Sequence, residues 1–264
     1  MIQLPASVID DLIRIESGIH YAELPPDGVE PYIFEDRNAP VLISAPHGAV
    51  TYRNNSKEIW HEEDEYTAGM ALLLGQICKV PVIATHYKNA SYDPNHNVDE
   101  NIGYKQILKC LIETYGVRFV IDLHGAALMS RTLEPQQTID LGLRQRNDSD
   151  KPSMDGTHIQ ELERLLENTD LVCDSECFVT RRNKFPGAGK GTVITFATSL
   201  TMAGTQRPVQ AVQIEMKPQV RVAHRFTSAS LFASCGPYDA NPACVLHMIQ
   251  SLAEFIEYLI TTQE

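Results

Sequence analysis

The chain has 264 residues, 43% of them hydrophobic, enough to bury a large core in one α/β domain spanning 1–264. A formal net charge of −12 argues against a general nucleic-acid binder, although a local group of arginines could still attract a small anionic substrate. The six cysteines fit no secreted disulfide framework, and no basic segment with a long apolar core opens the chain; a cytoplasmic protein without a membrane span is expected, its oligomeric state unread.

In chain order, Val8, Ile9, Leu12, Ile13 and Ile15 form a helical stripe over residues 5–17, ended by Gly18. Residues 41–44 read as a strand stopped by Pro46 and Gly48. The acidic run 62–65 should open a helix continuing over 68–78, where exposed amides favour carboxylates. Residues 80–86 read as a strand, 89–101 as a polar loop, 102–115 as a helix ended by Gly116, and 117–123 as a central strand. Further strands are expected within 133–143, at 174–179 and at 191–200, the last two flanking a turn-rich segment over 185–191. An amphipathic helix over 157–168, a strand over 209–216 and a helix over 241–261 complete the set. Alternating strands and helices fit a layered α/β protein with helices on both faces of a sheet.

Three short segments carry the chemistry: Pro46-His47-Gly48, Asp122-Leu123-His124-Gly125 and Gln213-Ile214-Glu215. Each ends or follows an apolar run, so each places an imidazole or a carboxylate where a strand opens onto a sheet edge. Side chains alternate along a strand, so Asp122 shares a direction with His124, and Gln213 with Glu215. Asp122 and Gln213 would then support the two chemical groups beyond them. A hydrolytic zinc site needs three protein ligands and an open position. His47 and His124 supply two, and the third should come from the acidic run, where Glu65 is favoured over Glu62. Glu215, closing an apolar strand, is the candidate general base.

For an anionic substrate the candidate cations are Arg131, Arg181, Arg182 and Arg221, because a guanidinium grips carboxylates with two prongs. Asn95 and His96 lie in the polar loop and could contact substrate. The run Gly187-Ala188-Gly189-Lys190-Gly191-Thr192 lacks phosphate-loop spacing and is expected to precede a strand. His61, His86 and His158 carry no assigned role, and Cys173 and Cys177 read as ordinary thiols.

At Pro46-His47-Gly48, Glu65-Tyr66, Asp93-Pro94-Asn95, Asp122-Leu123-His124-Gly125 and Gln213-Ile214-Glu215 the chain resembles the N-formylglutamate amidohydrolases, distantly similar to zinc carboxypeptidases and aspartoacylases. The resemblance runs over roughly residues 38–260. It implies a three-layer α/β/α phosphorylase/hydrolase-like fold with a central mixed sheet. It also implies zinc held by His47, Glu65 and His124, Glu215 as base, and hydrolysis of a small N-acyl amino acid such as N-formylglutamate. A peptidase acting on short peptides, or a ligand-binding relative without catalysis, are the alternatives. Three positions depart from the family pattern: His96 stands where an Arg is common, Glu65 where Asp is frequent, and Gly125 where Ser is usual.

Overall fold

The computed structural model describes residues 2, 4–53, 60–96, 103–127, 137–147, 149–168, 178–201, 207–224 and 241–262. Helix α1 (Val8–Glu16) leads to strands β1 (Tyr32–Glu35) and β2 (Val41–Ala45), then to the short strands β3 (Thr51–Tyr52) and β4 (Trp60–His61). Helix α2 (Thr67–Cys78), strand β5 (Val82–Thr85), helix α3 (Gly103–Tyr115) and strand β6 (Phe119–Gly125) follow. After β7 (Ile139–Gly142) come α4 (Gly156–Glu167), β8 (Thr180–Arg182), α5 (Val193–Ala197), β9 (Gln210–Met216) and α6 (Pro242–Thr261).

Seven strands form a mixed sheet in the order β1-β5-β2-β6-β9-β7-β8, while β3 and β4 pair separately. Strands β5, β2, β6 and β9 run parallel, β1 and β7 run antiparallel to their neighbours β5 and β9, and β8 is parallel to β7. Alternation decides which layer each residue joins. Val41, Ile43, Ile121, Leu123, Val212 and Ile214 pack with α1, α2, α4 and α6. Leu42, Val120 and Ala211 point the other way and pack with α3 and α5. The fold is therefore α/β with helices on both faces, and the central strands read as apolar runs because both faces are covered.

Where the expected elements are described, most fall near their observed positions. One does not: the run 191–200 contains helix α5, capped by Thr192, whose side chain accepts from the Thr195 amide. Val193, Ile194 and Phe196 suit a strand by composition, but the Thr192 cap and burial against α3 override that preference. The glycine-rich turn thus precedes a short helix. Of the strand expected at 174–179, residues 174–177 lie outside the described residues, as do Cys173 and Cys177.

Helix α6 has 20 residues and enough apolar character to cross a membrane by length and composition alone. Val245, Met248, Leu252, Phe255, Ile256 and Leu259 on it are buried in the core, which accounts for that composition. Its start is set locally: Asn241 accepts from the Ala243 amide, and Pro242 occupies the first turn, where no amide hydrogen is needed.

Candidate metal centre and active site

The chain passes from β2 to β5 on one side and then to β6 on the other, with α2 on one face and α3 on the opposite face. Open α/β sheets bind ligands outside the carboxyl ends of strands at such a reversal. His47 lies two residues past the end of β2, and His124 is the last residue but one of β6. Register puts His124 opposite Glu215 and Asp122 opposite Gln213. Thr85 Oγ1 donates to the Pro46 carbonyl at 2.6 Å. A Cβ on Gly48 would stand 2.4 Å from Ala68 Cβ, so this glycine is what lets the loop bearing His47 sit on α2.

Both histidines are oriented from behind by buried carboxylates. His47 Nε2 is 2.8 Å from Asp93 Oδ1, and His124 Nε2 is 3.0 Å from Asp122 Oδ2. An ionised carboxylate only accepts, so each Nε2 carries the proton and each Nδ1 is left with a lone pair for a metal. The two Nδ1 atoms face one oxygen: Asp64 Oδ2 is 3.4 Å from His47 and 3.3 Å from His124. Their rings are 4.9 Å apart at 73°.

The carboxylate between the histidines is thus Asp64, where the sequence favours Glu65. Residues 62–65 precede α2 and are not helical, so the acidic run does not open the helix as expected and helical spacing does not choose among its members. Asp64 is fixed by its amide, which donates to the His47 carbonyl at 2.7 Å, and by its carbonyl, which accepts from Thr67 Oγ1 at 2.7 Å. One residue on, the chain has turned: the Glu65 carbonyl accepts from Arg221, and Tyr66 adopts a left-handed conformation at φ 68°. Glu65 exerts its charge on Tyr21, next to buried Glu16. Glu16 accepts from the Tyr66 and Gly69 amides at 2.6 and 2.9 Å, capping α2 from another helix.

A third imidazole is present to which the sequence assigns no role. His61 stacks on His47 at 3.9 Å with 23° between the rings. The ligand atoms of His47, His61 and Asp64 all lie within 4.8 Å of one another. This group and the His47–Asp64–His124 group share two members. His124 is the other candidate donor: its Nδ1 is 3.3 Å from Asp64 Oδ2, and its ring is inclined at 73° to that of His47.

The donor set fits a divalent metal. His47 Nδ1 has no hydrogen-bond partner among the described residues although it is buried. Donors bound at about 2.0–2.1 Å around a tetrahedral ion stand about 3.3 Å apart, the spacing seen on both sides of Asp64 and too long for a strong hydrogen bond. Burial opposes charge on these groups, yet the His124 and His47 contacts hold the Asp64 carboxyl well below its usual range. Likewise, against burial, Asp93 and Asp64 raise His47, and Asp122 with Asp64 raises His124. Without a cation, protons balance these acids. Burial, with His47 and Arg53 nearby, lowers His61 to about 3, keeping it neutral.

Glu215 stands beside this group. Gln213 Nε2 donates to its Oε1 at 2.8 Å, so the amide orients the carboxylate from one step deeper in the sheet. Burial raises Glu215 to about 7, helped by Asp64 and opposed by His124. The register continues from Glu215 to Asp140 and on to Arg181, a row of charged positions across β9, β7 and β8. Asp140 accepts from the Phe185 amide at 2.7 Å and the Lys184 amide at 3.1 Å.

The remaining expected substrate contacts separate. Asn95 is buried in the centre, with Nδ2 3.5 Å from His124 Nε2 and Oδ1 accepting from the Val193 amide at 2.8 Å. His96 is exposed, its backbone packed where a Cβ on Gly191 would fall. Arg181 is three strands from His124, roughly 14 Å at ordinary strand spacing. Arg182 is paired with Glu163 of α4 at 2.6 Å on the surface, because its side chain alternates to the opposite direction from Arg181. Arg131 lies outside the described residues. Two cations do reach the centre. Arg53, which the sequence does not single out, donates from Nε to Asp93 Oδ2 at 2.7 Å; the buried candidate Arg221 donates from Nε to the Met216 carbonyl at 2.9 Å. A Cβ at Gly125 would meet Arg221 Nη2 at 2.7 Å and Asp64 Cβ at 2.9 Å. Glycine after the second histidine therefore makes room for that guanidinium.

No sequence-family model matches the chain, and no curated protein matches it by sequence. Solved structures do match. The N-formylglutamate amidohydrolase of Ralstonia eutropha JMP134 superposes with a TM-score of 0.54 at 13% identity, over 88% of this chain and 97% of that one. A bacteriophage poly-gamma-glutamate hydrolase superposes with a TM-score of 0.50 at 12% identity, over 89% and 92%. The chain has the fold of these hydrolases. The resemblance read from its motifs holds at that level, across nearly the whole length of both neighbours. A gene product of Agrobacterium tumefaciens shares the fold too, with a TM-score of 0.52 at 12% identity, covering 89% of this chain and 96% of that one.

Proposed function

We propose that the chain is a zinc-dependent amidohydrolase that cleaves the C–N bond of a small anionic N-acyl amino acid. The observation that carries the proposal is the meeting of two imidazole Nδ1 atoms on Asp64 Oδ2, one register step from Glu215. His47, Asp64 and His124 would hold the metal. When bound, zinc polarises an acyl carbonyl and acidifies water.

The chain's own groups supply the rest. Asp93 and Asp122 hold the two ligand rings in the tautomer that presents Nδ1. Glu215, oriented by Gln213 and raised by burial to about 7, takes a proton from the attacking water and delivers it to the departing nitrogen. Arg53 and Arg221 are buried or half-buried cations beside the acids and favour an anionic substrate near this edge. Arg181 lies further along the same row and would meet the far end of a longer substrate.

The neighbours named for N-formylglutamate and poly-gamma-glutamate both concern amides of glutamate, and this guides the choice of substrates. The zinc-loaded chain would be incubated separately with N-formyl-L-glutamate, with other N-acyl amino acids and with a γ-glutamyl oligomer, and amine release measured. Zinc-dependent release from at least one of them is expected. Binding of these compounds without release from any, at one zinc per chain, would replace catalysis by a ligand-binding role.

A further inference from the structure

His61 is the part of the centre that a three-ligand site does not use. Its Nδ1 donates to the Glu62 carbonyl at 2.6 Å, so Nε2 is the lone-pair nitrogen. One of its ring nitrogens lies within 4.8 Å of a ring nitrogen of His47 and a carboxylate oxygen of Asp64. It belongs to the separate β3–β4 pair and not to the seven-stranded sheet. By contrast, His47 and His124 are each tied through Nε2 to a buried aspartate.

Four protein donors make a closed, structural zinc centre, whereas a catalytic centre keeps one position open. An imidazole binds in its own ring plane. Because His61 lies nearly parallel to His47 with ring centroids 3.9 Å apart, the two rings do not both point in-plane at one place as they stand, and His61 would have to shift to bind. Its bond would be the weakest of the four and the first to yield.

We propose that His61 is a displaceable fourth donor, which closes the centre formed by His47, Asp64 and His124 until a substrate oxygen takes its place. This rests on the metal-site reading above. It makes departure of one ring a part of substrate entry, and it shields the resting metal from stray anions.

Cobalt substitution tests it without relying on turnover. The visible absorption of the Co2+-loaded chain and its titration with azide would be compared with those of His61→Ala and His61→Phe. Phenylalanine keeps a ring to stack on His47 but removes the donor nitrogen. Both variants should change the cobalt spectrum and bind azide about tenfold more tightly, and added imidazole should return the alanine variant to the wild-type spectrum. Spectra and azide affinities equal to wild type in both variants would overturn the proposal. If the wild type takes up no cobalt, or if uptake survives His47→Ala, the underlying metal site falls with it. Uptake lost in His47→Ala but a spectrum indifferent to His61 overturns the fourth donor alone.

Discussion

The centre has two halves of different origin. His124, Glu215, Asp122 and Gln213 are carried by β6 and β9, adjacent strands whose register fixes their spacing. Asp64, His61, Asp93 and Arg53 come from segments outside the main sheet, and hydrogen bonds to backbone and to one another place them. In the strand half the sheet holds the backbone, and single side-chain contacts only orient the groups it carries. The loop half depends on individual bonds, so substitutions there should disturb metal retention, whereas the strand half carries both a metal ligand with its support, His124 and Asp122, and the groups of the chemistry, Glu215 and Gln213.

The largest effect belongs to the strand half. Glu215→Gln should lower kcat by about 10² to 10⁴-fold while zinc stays bound, measured by steady-state kinetics beside metal analysis. Loss of zinc together with turnover would move Glu215 among the ligands. Asp122→Asn should weaken zinc affinity by about 10 to 100-fold in chelator competition, since His124 loses the acid that fixes its tautomer. An unchanged affinity would mean that the sheet alone orients the ring.

A smaller change tests the support behind Asp64. Burial raises Glu16 from an ordinary 4.5 to about 7, against the bonds from Tyr21, Tyr66 and Gly69. The folded chain then binds this proton more tightly than the unfolded chain does. That contribution to stability is complete below pH 4.5 and is lost as pH rises through about 7. Glu16→Gln should flatten the fall of stability across that interval, read by urea unfolding at several pH values. A slope identical to wild type would show that Glu16 does not titrate there. Least of all, Arg182→Ala should cost under about 1 kcal/mol and leave kcat/KM unchanged, because it removes an exposed pair with Glu163. A large rise in KM would return Arg182 to the substrate.

The same division explains what can be read from the chain alone. Period-two alternation in 120–124 and 212–216 discloses which side chains share a face, and the sheet obeys it. The histidine after β2 is equally legible, since Pro46 and Gly48 mark the turn. Asp64 is hidden because its neighbours Glu62, Glu63 and Glu65 are chemically similar and no periodicity governs a non-helical approach to α2. His61 is hidden because its partner strand contributes only Thr51 and Tyr52, too short to show a pattern. Arg53 and Arg221 reach the centre from segments distant in sequence, and spacing cannot tell which arginines do so. Helix α5 reads as a strand because β-branched residues favour strands until a cap and a packing surface decide otherwise.

Equilibrium zinc content of the wild type, Asp64→Asn and Glu65→Gln tests the centre most directly. The account predicts one zinc per chain in the wild type and in Glu65→Gln, and loss of it in Asp64→Asn with the fold intact by circular dichroism. Zinc retained by Asp64→Asn and lost from Glu65→Gln would contradict it.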